Sequence, residues 1–162
     1  MQPRTVIART AEPSALWAAT LISPATVRPP GPLLGALANG AEGASFAETV
    51  RLYNDFGGVV LDDEEGRAIC KALGPHGKAV ILQNHGILSA ASTVDAAVAY
   101  FIRLEKLCEA QLLADACGEH DTLSQGDIAS VFDKYGGEDE AWFQAQELFE
   151  WIETETDGDY KL

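Results

Sequence analysis

The sequence predicts an α/β domain, and three observations carry that prediction. Short, β-branched apolar runs closed by Asn and Gly read as buried strands. Between and after them lie stretches that open on Ser, Thr or Asp, place apolar residues at helical spacing and stop at Gly. The chain has 162 residues, 47% of them hydrophobic and 22% charged, which is one domain's worth of chain and enough for a single core.

Residues 1–44 are rich in Ala, Thr, Ser, Pro and Gly and show no sustained pattern. Ser14 to Leu21 is expected to form one short helix, with Ser14 as N-cap and Trp17 and Leu21 on one face. Pro24 and then Pro29, Pro30 and Pro32 stop anything regular after it. The opening is acid-poor and bears Arg4, Arg9 and Arg28, yet it lacks the amphipathic stripe of a targeting peptide. The expectation is a flexible leader over 1–44.

From Ser45 the pattern sharpens. Phe46 to Leu52 suits a short helix or a strand, with Val50 to Tyr53 the better strand. Phe56-Gly57-Gly58-Val59-Val60 reads as a tight connection, since no Gly-x-Gly-x-x-Gly and no Gly-Lys-Ser/Thr follows. Asp62, with Glu65 three residues on, opens a helix whose buried stripe is Ile69, Ala72 and Leu73 and whose stop is Gly74-Pro75.

The most informative stretch is Lys78 to Ala91. Ala79 to Leu82 and Ile87 to Ala90 make two short strands, and Asn84-His85-Gly86 becomes the turn of a hairpin. Asn tolerates left-handed backbone angles and Gly adopts them freely, as a tight reversal requires. His85 therefore sits at the tip of two buried strands, aimed by the sheet beneath it, which is how a metal ligand should be mounted. Ser92 and Asp95 then cap the longest helix, Thr93 to about Cys117, with Val94, Val98, Phe101, Ile102, Cys108, Leu112 and Ala116 as its stripe. At about 24 residues it spans roughly 36 Å and covers the sheet from behind. Glu105 falls within that stripe and reads as reaching an edge or a basic partner rather than as catalytic. Two further helices follow, Ser124 to about Tyr135 and Glu138 to about Glu153. Two Trp in the last, acidic helix mean that it packs against this domain or another subunit. Residues beyond Glu153 are expected to fray.

Charge and cysteines narrow the function classes. The net charge is −14, which argues against nucleic acid or an anionic membrane as partner, since both need a basic face. Residues 1–41 carry three Arg against Glu12 alone, a balance of +2, so the remainder carries −16. No apolar run approaches the ~20 residues that span a bilayer. Three cysteines, Cys70, Cys108 and Cys117, with no Cys-x-x-Cys pair, suit a reduced cytoplasmic setting and read as small buried hydrophobes.

Leu82-Gln83-Asn84-His85-Gly86-Ile87-Leu88 followed by Ser92-Thr93-Val94-Asp95-Ala96-Ala97 resembles a signature of the class II aldolase/adducin family. Tyr53 to Leu61 and Leu104 to Ala116 match the family's long, stand-alone members in order and spacing, so the resemblance runs from about Ser45 to the C-terminus. It implies a three-layer α/β/α sandwich around a largely antiparallel sheet, here incomplete on its N-terminal side. It also implies zinc as a Lewis acid, holding the hydroxyl and carbonyl oxygens of a small hydroxylated sugar or sugar phosphate while a carbon–carbon bond is cleaved or an epimer formed. Three imidazoles hold such a zinc, with a Glu as proton carrier, and the enzymes are usually homotetramers. Adducin heads keep the fold without the zinc site and serve in cytoskeletal assembly.

Of those ligands only His85 matches by motif. The sequence has three histidines and no His-x-His pair. His76 precedes the first strand of the hairpin, and six or so residues at ~3.3 Å each place it roughly 20 Å from His85. His120, in Gly118-Glu119-His120-Asp121, reads as a solvated loop. The resemblance thus implies the C-terminal part of an aldolase-type domain, residues 45–162, behind an unmatched leader, with metal chemistry impaired. A non-catalytic scaffold or a non-functional fragment are the competing readings.

Overall fold

The computed structural model describes residues 6–9, 17–21, 40–55, 63–118 and 121–159. Five strands form one sheet: β1 (Val6–Arg9), β2 (Trp17–Leu21), β3 (Val50–Tyr53), β4 (Ala79–Leu82) and β5 (Gly86–Ala91). Their order is β1-β2-β5-β4-β3. Three of the pairings are antiparallel, and β3 with β4 is parallel. The parallel pair is joined through helix α2 (Asp63–Leu73), as a parallel pair must be joined by a crossover.

β2 corrects an expectation. The short helix placed on Ser14 to Leu21 is not formed at Trp17–Leu21, which pairs with β5 from Trp17↔Ala91 to Leu21↔Ile87. An isolated helix of two turns is marginal in water. Pairing instead satisfies a row of β5 amides and carbonyls that would otherwise form an open edge. With β1 beside it, two strands of the sheet lie inside residues 1–44, so the sheet crosses the boundary that the sequence suggested near residue 44.

β4 is buried along its whole length because both faces of the sheet are covered. Ala79 and Ile81 point to one side, where with Ile87 and Ala91 they meet Ala97, Phe101 and Leu104 of the long helix α3 (Val94–Cys117). Val80 and Leu82 point to the other side and join Ala90 against Ile69 and Leu73 of α2. This is the α/β/α layering that the resemblance implies. Ile81, Ile87 and Leu104 are no more than 1% exposed, and each such side chain stabilises the fold by about 1.5–3 kcal/mol through burial.

The helix ends follow local chemistry. α2 ends at Gly74, whose φ of +70° no β-carbon favours. α3 is capped by Thr93, whose side chain accepts from Ala96 N, rather than by Ser92 as expected. Ser92 instead donates from both its amide and its hydroxyl to the Glu138 carboxylate. The α3 face is also rotated from expectation: Ala96, Ala97, Ala99, Tyr100, Phe101, Leu104, Cys108 and Gln111 are buried, whereas Leu112 is exposed. The buried face carries the small residues Ala96, Ala97 and Ala99 beside Tyr100, Phe101 and Leu104, in place of the Val and Leu expected there.

The remaining helices are α1 (Ala41–Ala44), α4 (Gln125–Tyr135) and α5 (Glu138–Thr156). Ser124 caps α4, accepting from Asp127 N at 3.2 Å, as the Ser-x-x-Asp spacing predicts. α5 packs Ala141 and Ala145 into the main core and is tied to the start of α3 by Gln146 donating to Asp95 at 3.0 Å. It runs three residues past the expected end at Glu153. Asp62, expected as a cap, Gly57-Gly58, expected as a tight connection, and His120 lie outside the described residues.

Candidate functional site

The β4–β5 hairpin turns through Gln83, Asn84 and His85, with Leu82 paired to Gly86. Asn84 takes the left-handed conformation, φ +60°, and His85 N closes the turn on Leu82 O at 3.0 Å. Asn carries that conformation as expected; Gly86 does not need it and opens β5 instead. Gln83 N donates to Tyr53 O at 3.0 Å, so the turn is also anchored to the end of β3. His85 therefore stands at the carboxyl ends of the two parallel strands, where α/β sheets commonly bind ligands.

The imidazole is half-buried, and its Nδ1 is fully enclosed with no hydrogen-bond partner among the described residues. A buried ring nitrogen left without a partner costs free energy, about 1–3 kcal/mol, that a ligand could recover. The other described histidine does not come to it. His76 is exposed in the turn before β4, at the opposite end of that strand from His85. Among the described residues, no three His, Cys, Asp or Glu side chains are placed to share a metal ion. Glu105 lies half-buried on α3, where its charge, after burial itself, helps to push the Cys108 thiol up to about 12.

A second polar cluster, with no local signature in the sequence, lies at the other end of β4. Lys78 Nζ donates to Ser45 O at 2.8 Å. Three rings surround it, with centroids at 5.5 Å (Phe46), 5.3 Å (Tyr100) and 4.7 Å (Phe132). Burial first, then the Arg103 guanidinium, lowers the Lys78 amine to about 8. Arg103 itself donates to Glu42 and to Ser45 Oγ. Burial and the nearby Glu138 raise the Tyr100 hydroxyl to about 12. These side chains come from α1 and its following turn, the residue just before β4, α3, α4 and the first residue of α5. They join the layers, with Phe132 fastening α4, which buries no residue of its own.

A family model described as "Class II Aldolase and Adducin N-terminal domain" matches residues 12–112. The chain belongs to that family. The match begins at residue 12, within the segment that carries no recognisable motif in the sequence. Among solved structures, the family chain resembles an L-fuculose 1-phosphate aldolase from Glaciozyma antarctica PI12, with TM-score 0.79 and 34% identity over 93% of this chain and 56% of that one. An aldolase II superfamily protein from Pseudomonas syringae shares the fold, with TM-score 0.71 at 21% identity. By sequence, the decarboxylase NovR of Streptomyces niveus is 42% identical over 78 residues, and the alpha-adducin of Rattus norvegicus is 40% identical over 86. The chain spans 28% and 11% of the lengths of those two relatives.

The aldolases of the family typically use a metal, and no three described donors are placed to hold one. His85 offers one imidazole, its Nδ1 without a hydrogen-bond partner among the described residues. One imidazole does not make the three protein ligands of a catalytic zinc.

Proposed function

We propose that this chain is a class II aldolase/adducin domain in which zinc-dependent carbon–carbon bond chemistry is impaired, and that it serves as a binding or scaffold domain. The observation that carries this reading is the state of His85: an enclosed Nδ1 at the hairpin apex, and no set of three donors placed to share a metal ion among the described residues. The sequence adds that no His-x-His pair exists anywhere in the 162 residues. The relatives support both halves of the reading, since an aldolase and an adducin are both matched.

A second reading, a working zinc aldolase or epimerase, is favoured by 34% identity to an L-fuculose 1-phosphate aldolase over most of this chain. It would take small hydroxylated sugars or sugar phosphates as substrates, and by family habit it would act as a homo-oligomer. The two readings separate in one assay. Aldol cleavage of L-fuculose 1-phosphate is measured with zinc added, for the wild type and for His85→Ala. The proposal expects no turnover that depends on both zinc and His85. Turnover abolished by chelator and by His85→Ala would establish the second reading.

A further inference from the structure

α5 buries one side and leaves the opposite side unused. Ala141 and Ala145 are fully buried against α3, and Phe149 packs beside them. On the far side, Phe143, Glu147, Glu150, Trp151 and Thr154 recur at i, i+4, i+7, i+8 and i+11, which is one helical stripe. All five are exposed, Phe143 at 67% and Trp151 at 59%. The two aromatic side chains are eight residues apart, about 12 Å along the helix. Large aromatics displayed singly are ordinary on a surface, but two on one stripe match the aromatic enrichment of interfaces, and the acids beside them would set which partner fits.

The charge of the stripe selects the occupant. α5 carries seven acidic residues (Glu138, Asp139, Glu140, Glu147, Glu150, Glu153, Glu155) and no basic one. A second copy of this chain, net −14, would set acid against acid there. A basic partner gains instead: its ammonium or guanidinium groups meet Glu147 and Glu150 while its apolar side chains cover Phe143 and Trp151.

We propose that the outer stripe of α5 docks an amphipathic helix of a basic partner protein, with apolar anchors two turns apart flanked by Lys or Arg. This names a partner for the scaffold reading, yet it stands on residues far in sequence from His85 and on none of the observations made at that hairpin. Zinc turnover would overturn the scaffold reading and leave the docking intact; the result below would overturn the docking and leave the His85 reading intact.

The test uses the full chain and a fluorescently labelled 18-residue helix of Leu and Lys, with a counterpart in which Glu replaces Lys. Anisotropy should report binding of the basic helix alone, weakening with added salt. The double variant Phe143→Ala/Trp151→Ala should lose at least tenfold in affinity, as should Glu147→Gln/Glu150→Gln, with circular dichroism unchanged. Leu113→Ala, exposed on α3, is the control and should bind as the wild type does. Equal affinity in the wild type and the aromatic double variant would overturn the proposal, because only diffuse charge attraction would remain. So would sedimentation showing a wild-type dimer that the aromatic double variant dissociates, since the stripe would then be covered by a second copy.

Discussion

Leu104 and Leu113 lie nine residues apart on α3, which is two and a half turns, so the helix sends them to opposite sides. Leu104 is 0% exposed and belongs to the core between α3 and the sheet; Leu113 is 63% exposed. Truncation of each to Ala removes the same atoms, so any difference is due to environment. At Leu104 the change loses transfer free energy and leaves a cavity in a close-packed layer, costing about 3 kcal/mol within a usual range of roughly 2–5. For a chain of this size each kcal/mol moves Tm by about 2–4 °C, so Leu104→Ala should melt about 6–12 °C below the wild type. Leu113→Ala should stay within about 0.5 kcal/mol, or 1–2 °C. Thermal melts followed by far-ultraviolet circular dichroism, with urea midpoints as a check, decide the matter. Equal losses, or a larger loss at Leu113, would refute the rotation of α3 and with it the layer that supports the His85 hairpin.

Three further outcomes follow from other parts of the molecule. Asn84 holds φ +60°, so Asn84→Gly should leave the urea midpoint within about 0.5 kcal/mol of the wild type, while Asn84→Val should cost about 1–2 kcal/mol. Cys70 and Cys117 are exposed and Cys108 is buried, its thiol pushed up to about 12. Titration with a thiol reagent at pH 8 should therefore consume two thiols promptly and the third only after urea is added. Alkali should act in two opposed ways. Folded Lys78 releases its proton near 8 and unfolded Lys78 near 10.5, so the unfolded chain binds more protons between those values and stability gains with rising pH there. Cys108 and Tyr100 keep their protons to about 12 when folded but lose them from 9.0 and 10.0 when unfolded, so their contribution is lost as pH rises through that range. Above 10.5 only the loss remains. The urea midpoint should fall between pH 10.5 and 11.5, and less steeply in Tyr100→Phe, which has no proton to release.

Much of the centre of the fold was legible because the residues there obey one local rule at a time. Ala79 to Leu82 is apolar on both faces, so it reads as a strand covered twice, and Asn84 marks the turn by its tolerance of left-handed angles. Ser124 and Gly74 announce their helix ends in the same way. The failures share a different cause. Trp17–Leu21 is strand only because β5 is there to pair with it, a tertiary fact with no local signature. The α3 stripe departs from expectation because its buried face is built partly from Ala96, Ala97 and Ala99, whose small side chains give a weak hydrophobic signal. Lys78 was unreadable as a centre, since its three rings come from positions 46, 100 and 132 and meet only in the folded chain. His85 was found by the turn that carries it; its enclosed Nδ1 emerged only from the packing.

Whether the imidazole at the hairpin tip holds metal separates the scaffold reading from the aldolase one. The direct measurement is zinc content by elemental analysis after the protein is saturated with zinc and dialysed exhaustively, for the wild type beside His85→Ala. Substoichiometric zinc, the same in both proteins, is the outcome expected of an incomplete donor set. About one zinc per chain in the wild type, lost in His85→Ala, would contradict it and return the domain to the metal-bound aldolases.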